Sequence, residues 1–377
     1  MCPALSRMSS SCGTVRISGD NAWGGAGAKL TIGTGNAVEF GGGMFEGDMK
    51  TIIGTSKQIT TSEGSTNVFR GSVVLEGAHN WTIGENSLME FHKPLTCGGW
   101  STGRGSDLNS SIMRFFGTCT IGSGQWNNLT MDYRAANNEI GSEFVLRYGI
   151  SRHLLNCEWA WNTDKTCQVW LGSIIDLCGH NNKVGTFQMK ANGVITNSGE
   201  KAIFWTNVTK SELKEDDSSG MMYPVYIRGD LRGPVSLGKM GPCDLTITNR
   251  AVSSSGDIVV AAGRLAFCPA SSWLNAEEVI VTNALPTSGA VLEIRQAKTL
   301  GKDATVRLGN GGKLRLGVSG VDASFRQAVA WLYIDGVLLP SGYYSADRGD
   351  GTPIVPGTTP CSSLEGPGVL KCVGNGF

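Results

Sequence analysis

Three carboxylates and one imidazole are the groups in this sequence whose types and settings suggest chemistry. Asp164 ends the tripeptide Asn162-Thr163-Asp164, Asp216 and Asp217 are adjacent, and His180 stands in Gly179-His180-Asn181. Hydrolysis of a glycosidic bond needs two or three such acids, one protonated as the acid and one ionised to activate water. Asp164, Asp216, Asp217 and His180 are of the types such a reaction uses. Eliminative cleavage of a uronate would instead need a Lys or Arg base beside acids or calcium. Lys183, Arg228 and Arg232 are of the right type, but nothing in the sequence clusters them with acids, and solvation of the surface is the commoner role.

Trp159, Trp161 and Trp170 lie within twelve residues, near Asn156, Asn162 and His180. An indole face stacks on a pyranose ring while neighbouring amides bond its hydroxyls, so these three are the carbohydrate-binding candidates. Packing between strands is the commoner use of such rings.

Metal and cofactor chemistry is not signalled. The four histidines, His79, His92, His153 and His180, form no HxH or HExxH pattern, and the eleven cysteines contain no CxxC pair. No metal site and no cofactor are expected. Most of the cysteines read as small apolar fillers between strand residues. Cys157–Cys167 and Cys361–Cys372 are close enough in sequence to allow disulfides. Gly24-Gly25-Ala26-Gly27 lacks the Lys-Ser/Thr that a phosphate loop needs. Arg228-Gly229-Asp230 spells a cell-adhesion tripeptide, and chance is the commoner source of three such letters.

The elements that must position these groups are short strands. Of 377 residues 53 are glycine, twice the usual share, and charged residues are only 17%. Hydrophobic residues are 40%, enough for a core, which excludes a highly charged disordered chain. Collagen is excluded because glycine does not recur at every third position. Lys and Arg number 32, as do Asp and Glu, so net charge gives no footprint for nucleic acid or an anionic membrane. No apolar run reaches the ~18 residues of a membrane helix. No secretory leader is legible in residues 1–11.

Helical periodicity is scarce, the best window being Asp322 to Trp331. Strand signals recur instead, bounded by Gly, Asn, Ser or Asp. Leu30-Thr31-Ile32-Gly33 resembles Trp81-Thr82-Ile83-Gly84, with a weaker copy at Cys119-Thr120-Ile121-Gly122. Their unequal spacing disfavours repeats of fixed length, such as propeller blades. In the C-terminal third, strand centres near Val259, Ile280 and Val306 interleave with centres near Phe267, Leu292 and Leu314. Two series at intervals of 21–26 residues are what stacked parallel coils with two strands per coil produce. Ser211 to Gly220 is the most polar run and reads as an exposed loop.

Gly256-Asp257-Ile258-Val259-Val260-Ala261-Ala262-Gly263-Arg264-Leu265-Ala266-Phe267 resembles the opening of bacterial autotransporter-associated β-strand repeats. Trp331-Leu332-Tyr333-Ile334-Asp335-Gly336-Val337 through Tyr344 resembles the segment that often ends such regions. Gly366-Pro367-Gly368-Val369-Leu370-Lys371-Cys372-Val373 is similar to their terminal strand. The resemblance covers residues 256 to 373. It implies a secreted or surface-displayed β-solenoid with no catalytic residues to carry over, although no translocator barrel follows in this chain.

Asn162-Thr163-Asp164, Gly179-His180-Asn181 and Asp216-Asp217 also resemble motifs of pectin hydrolases of the polygalacturonase type, and the resemblance implies Asp164, Asp216, Asp217 and His180 as catalytic candidates for such an enzyme. Here, however, the aspartate pair follows both other motifs instead of lying between them. The expectation is therefore all-β: a single-stranded right-handed parallel β-helix, irregular over 1–250 and regular over 251–377. Its favoured role is a non-enzymatic structural or adhesive passenger, extracellular or at the cell surface, one segment of a larger protein. Its expected partners are glycans or host-surface components. A polysaccharide-active enzyme on the same scaffold is the alternative.

Overall fold

The computed structural model describes residues 13–374, except 23, 33–35, 52–56, 103–110, 122–123, 128–129, 135–138, 141–142, 148–149, 154–156, 160–165, 170–171, 215–221, 250, 286–287 and 318–324. The described residues are all-β, with no helix among them, and most strand pairs are parallel. No helix long and apolar enough to cross a membrane occurs among them. The chain forms two compact units, Met1–His180 and Asn181–Phe377.

Strands form where apolar residues alternate with polar ones, so that one face is buried and the other wet. Leu88–Phe91 and Ile112–Phe115 bury every second side chain. In the first unit such stretches stack in three parallel registers. One joins Leu30, Met49, Val73, Leu95 and Cys119, at intervals of 19, 24, 22 and 24 residues. A second joins Val15, Val38, Ile59, Trp81 and Thr102. The third joins Phe45, Phe69, Phe91, Phe115 and Tyr133. Each repeat here therefore supplies three stretches, one more than the two series that the sequence shows in its C-terminal third. Pieces as short as Gly43–Phe45 hold too few residues to show an alternation.

Parallel in-register stacking sets like residues over like. In the third register the buried rings form a continuous stack. Phe69–Phe91, Phe91–Phe115 and Phe115–Tyr133 have centroids 5.1, 5.5 and 5.1 Å apart and planes within 16° of parallel. Two residues earlier, Met89, Met113 and Met131 align and are buried. One residue later than these methionines the register reads Glu90, Arg114, Asp132, Arg152 and Asp176, with the sign alternating at each step. Glycine is required where backbones touch: a Cβ on Gly71 would lie 2.1 Å from the Gly47 carbonyl oxygen.

The three Thr-Ile-Gly copies do not all share one register. Thr31 and Thr120 lie in the same column, four repeats apart, whereas Thr82 pairs with Thr60 in another. Their unequal spacing has that origin.

The second unit carries the two interleaved series. One sheet runs Leu237, Ile258, Val279, Val306 and Leu332; the other runs Leu245, Leu265, Leu292, Leu314 and Leu364. The register differs by a residue from the sequence-based series. Ile280 pairs with Arg307, both turned outward, while buried Val306 pairs with buried Val279. A one-residue slip would invert the faces, so burial decides it. A third line of contact is made by isolated bridges, Ala251 to Ser272 and Trp273 to Leu300. It is extended by Gln327, whose amide accepts from Leu300 N at 3.2 Å and donates to Leu300 O at 2.9 Å.

The helix expected over Asp322 to Trp331 is not formed. Residues 322–324 lie outside the described residues, but Arg326–Val329 and Trp331–Ile334 are strands. Arg326–Val329 buries alternate residues against Val369–Cys372, and Trp331–Ile334 continues the sheet after Thr305–Gly309. Sheet pairing thus overrides a weak local helical pattern. Nor is Cys361 joined to Cys372; both thiols are free. They pair with opposite edges of Gly342–Ala346, which puts two strand spacings, ~10 Å, between them, beyond the reach of a disulfide. Cys167 is free as well, so Cys157–Cys167 is not a bridge either.

Candidate functional site

The densest cluster of charge in the second unit is built on adjacent strands. Ala290–Ile294 turns Ala290, Leu292 and Ile294 inward and Val291 and Glu293 outward. Glu293 is nevertheless only 1% exposed, because arginines cover it. Its register neighbours are Ala266, whose small side chain leaves room, and Arg315, which is followed by Glu365. Arg264 donates to Glu293 at 2.8 Å and also to Asp244. Arg295 donates at 2.6 Å and Arg315 at 3.3 Å, while Arg315 also donates to Glu365 at 2.7 Å. Beside this network lies an open hollow of about 410 Å³, also lined by Gly317, Gly366 and Pro367.

Burial would raise the Glu293 carboxyl, but hydrogen bonds from Arg295 and Arg264 outweigh it and hold the group below its ordinary range. Glu293 is therefore ionised at neutral pH and cannot donate the proton that glycoside hydrolysis requires. The three guanidiniums are balanced by Asp244, Glu293 and Glu365, which leaves little field to attract an anion. This arrangement pins register. Arg114 does the same work in the first unit, bonded to Glu90 at 3.0 Å and to Asp132 at 3.4 Å.

Lys239 is a second unusual group. It is fully buried, yet no ion pair neutralises it among the described residues. Its Nζ donates to the carbonyl oxygens of Met240, Gly241 and Ala262 at 2.9, 2.8 and 2.9 Å. Burial pushes the ammonium down to about 7. Enclosed this way it holds a corner together and presents no amine to a substrate.

Of the residues singled out from sequence, Asp164, Asp216, Asp217, Trp161 and Trp170 lie outside the described residues. Trp159 ends the strand Cys157–Trp159, and its side chain also lies outside them. His180 is half-buried in a turn, its backbone N–H donating to Leu177 O at 2.8 Å. Arg232 is exposed and bonds Asp230 at 2.9 Å, and Lys183 stands in register with Trp205. Among the described residues no group of three or more His, Cys, Asp or Glu is placed to hold a metal ion.

The tripeptide at 228–230 is tied down. Arg228 lies over the Tyr226 ring at 4.2 Å, and a Cβ on Gly229 would meet the Gly193 carbonyl oxygen at 2.2 Å. Asp230 accepts from Arg232 at 2.9 Å, and from Ser253 N and Oγ at 3.2 and 2.8 Å. The same three letters recur at Arg348-Gly349-Asp350, in a different setting. There they form an exposed turn between Gly342–Ala346 and Thr359–Cys361. A search for repeated tripeptides finds this second copy, but only the structure distinguishes it from the first. No family model matches the chain, and no curated protein or solved structure is detectably similar to it.

Proposed function

We propose that this chain is a non-enzymatic structural and adhesive element, displayed at a cell surface or secreted. Its parallel registers would wind as a right-handed single-stranded β-helix of the kind that autotransporter-associated β-strand repeats build. The observation that carries this reading is the paired ladder of the second unit. Leu245, Leu265, Leu292, Leu314 and Leu364 stack in one sheet while Leu237, Ile258, Val279, Val306 and Leu332 stack in another, with the chain alternating between them. Stacked repeats bury one another and leave their outer faces and turns for contact. The described carboxylates that gather near arginines are neutralised along the stacking direction, which suits a scaffold better than an acid–base site. Weak glycan contact is assigned to Trp159, Trp161 and Trp170, where many displayed copies would add up to useful avidity.

Two experiments test this. On intact cells that make the protein, externally added protease should digest it; full protection overturns surface display. Pectins, alginate and host glycans should show neither release of reducing ends nor absorbance of unsaturated uronates. Turnover that disappears with Asp164→Ala or Asp216→Ala would establish the polysaccharide-active enzyme instead.

A further inference from the structure

We propose that the turn at 347–353 is a recognition element for a receptor that reads Arg348-Gly349-Asp350 as a unit. In that pairing a divalent cation held by the receptor takes the Asp350 carboxylate, and a receptor carboxylate takes the Arg348 guanidinium. The inference rests on the surface-displayed reading and names the class of partner.

The turn is closed from within. Its base is an antiparallel bridge between Asp347 and Pro353, and Arg348 N donates to Thr352 O at 3.0 Å. Asp347 Oδ1 accepts from Gly349 N at 2.8 Å and Gly351 N at 3.0 Å. Gly349 and Gly351 have φ of +93° and +80°, which side chains rarely adopt, while a Cβ on either would meet nothing within 4 Å. The two glycines therefore serve backbone direction, and the space around them stays open to a partner. Arg348, Gly349, Asp350 and Gly351 are all exposed.

The two charged groups remain available. Asp350 Oδ1 accepts from Thr352 N at 2.9 Å and from Thr352 Oγ1 at 2.5 Å, which fixes the carboxylate plane. Those bonds hold the group below its ordinary range, so it is ionised. Among the described residues its Oδ2 has no partner, and a single carboxylate oxygen is a proper ligand for a hard divalent cation. Arg348 bonds the Ile354 carbonyl through Nη2 at 3.3 Å, which leaves the rest of the guanidinium for bidentate pairing with a carboxylate. A turn already held in shape loses less freedom on binding than a flexible one. The copy at 228–230 offers none of this, since its carboxylate is spent on Ser253 and Arg232.

The test is attachment of adherent mammalian cells to the immobilised full chain. The expected result is attachment in Mn²⁺ that is lost on chelation with EDTA and competed by a short Arg-Gly-Asp peptide. Asp350→Glu keeps charge and turn but moves the carboxylate by one methylene, and should reduce attachment to that of an uncoated surface. Asp230→Glu should leave attachment unchanged. No attachment, attachment indifferent to EDTA, or attachment equal in wild type and Asp350→Glu overturns the inference. Protease accessibility on intact cells judges surface display separately, so failure of either reading is distinguishable from failure of the other.

Discussion

The Nζ of Lys239 donates to the carbonyl oxygen of Ala262, at 2.9 Å and 23 residues further along the chain. The bond spans two stacked strands, since Lys239 pairs with Val260. With the Met240 and Gly241 carbonyls it gives the amine three acceptors, of which the Met240 oxygen also accepts from Val208 N at 2.9 Å.

Lys239→Met should cost about 2–4 kcal/mol, because the buried Gly241 and Ala262 carbonyls lose this donor, whereas the Met240 carbonyl keeps its bond from Val208 N. The amine also makes stability depend on pH. Its folded value is about 7 against an ordinary 10.5, so between these values the unfolded chain holds more protons than the folded one. Stability should therefore rise from pH 7 toward 10, and the rise should be smaller in Lys239→Met. Urea midpoints across that range check both.

Glu90 and Glu293 work in the opposite direction. Burial raises each, but hydrogen bonds from His92 and Arg114, or from Arg295 and Arg264, hold each below the ordinary 4.5. Their contribution should be complete above pH 4.5 and lost as pH falls through the lowered values. In an acid titration followed by circular dichroism, Glu293→Gln should flatten this loss. At pH 7 it should cost about 2 kcal/mol, an amount moderated by the partly exposed arginines.

Phe91 stands between Phe69 and Phe115 in the ring stack and is fully buried. Phe91→Ala should cost about 4 kcal/mol, and Phe91→Leu less than half of that, because a leucine still fills most of the space. Thermal unfolding of the two variants beside wild type gives the comparison.

Thiol reactivity should separate the cysteines. Burial pushes Cys97 up to about 12 and raises Cys119 and Cys167 as well. In the native state a maleimide should label Cys178, Cys243 and Cys268, which are partly exposed, well before these three. Peptide mapping by mass spectrometry reads the order.

The legible part of the fold was its all-β class and the interleaving of two series in residues 258–316. Both rest on local alternation of apolar residues, which needs only neighbours in sequence. Pairing with a distant strand is not local, so the pattern of Asp322 to Trp331 reads as helix although Val369–Cys372 draws Arg326–Val329 into a sheet.

The candidate site was less legible. Glu293, Arg264 and Arg315 are ordinary strand residues in sequence, and their convergence depends on a register set by burying Leu265, Leu292 and Leu314. The adhesion tripeptide gives the sharpest contrast. The sequence determines that Arg-Gly-Asp occurs at 228–230 and again at 348–350, identical in composition and charge. Only the tertiary structure decides that the first carboxylate is consumed by Ser253 and Arg232 while the second stands on an open turn. Exposure and hydrogen bonding depend on which distant strands lie alongside a segment, and three letters carry no record of that.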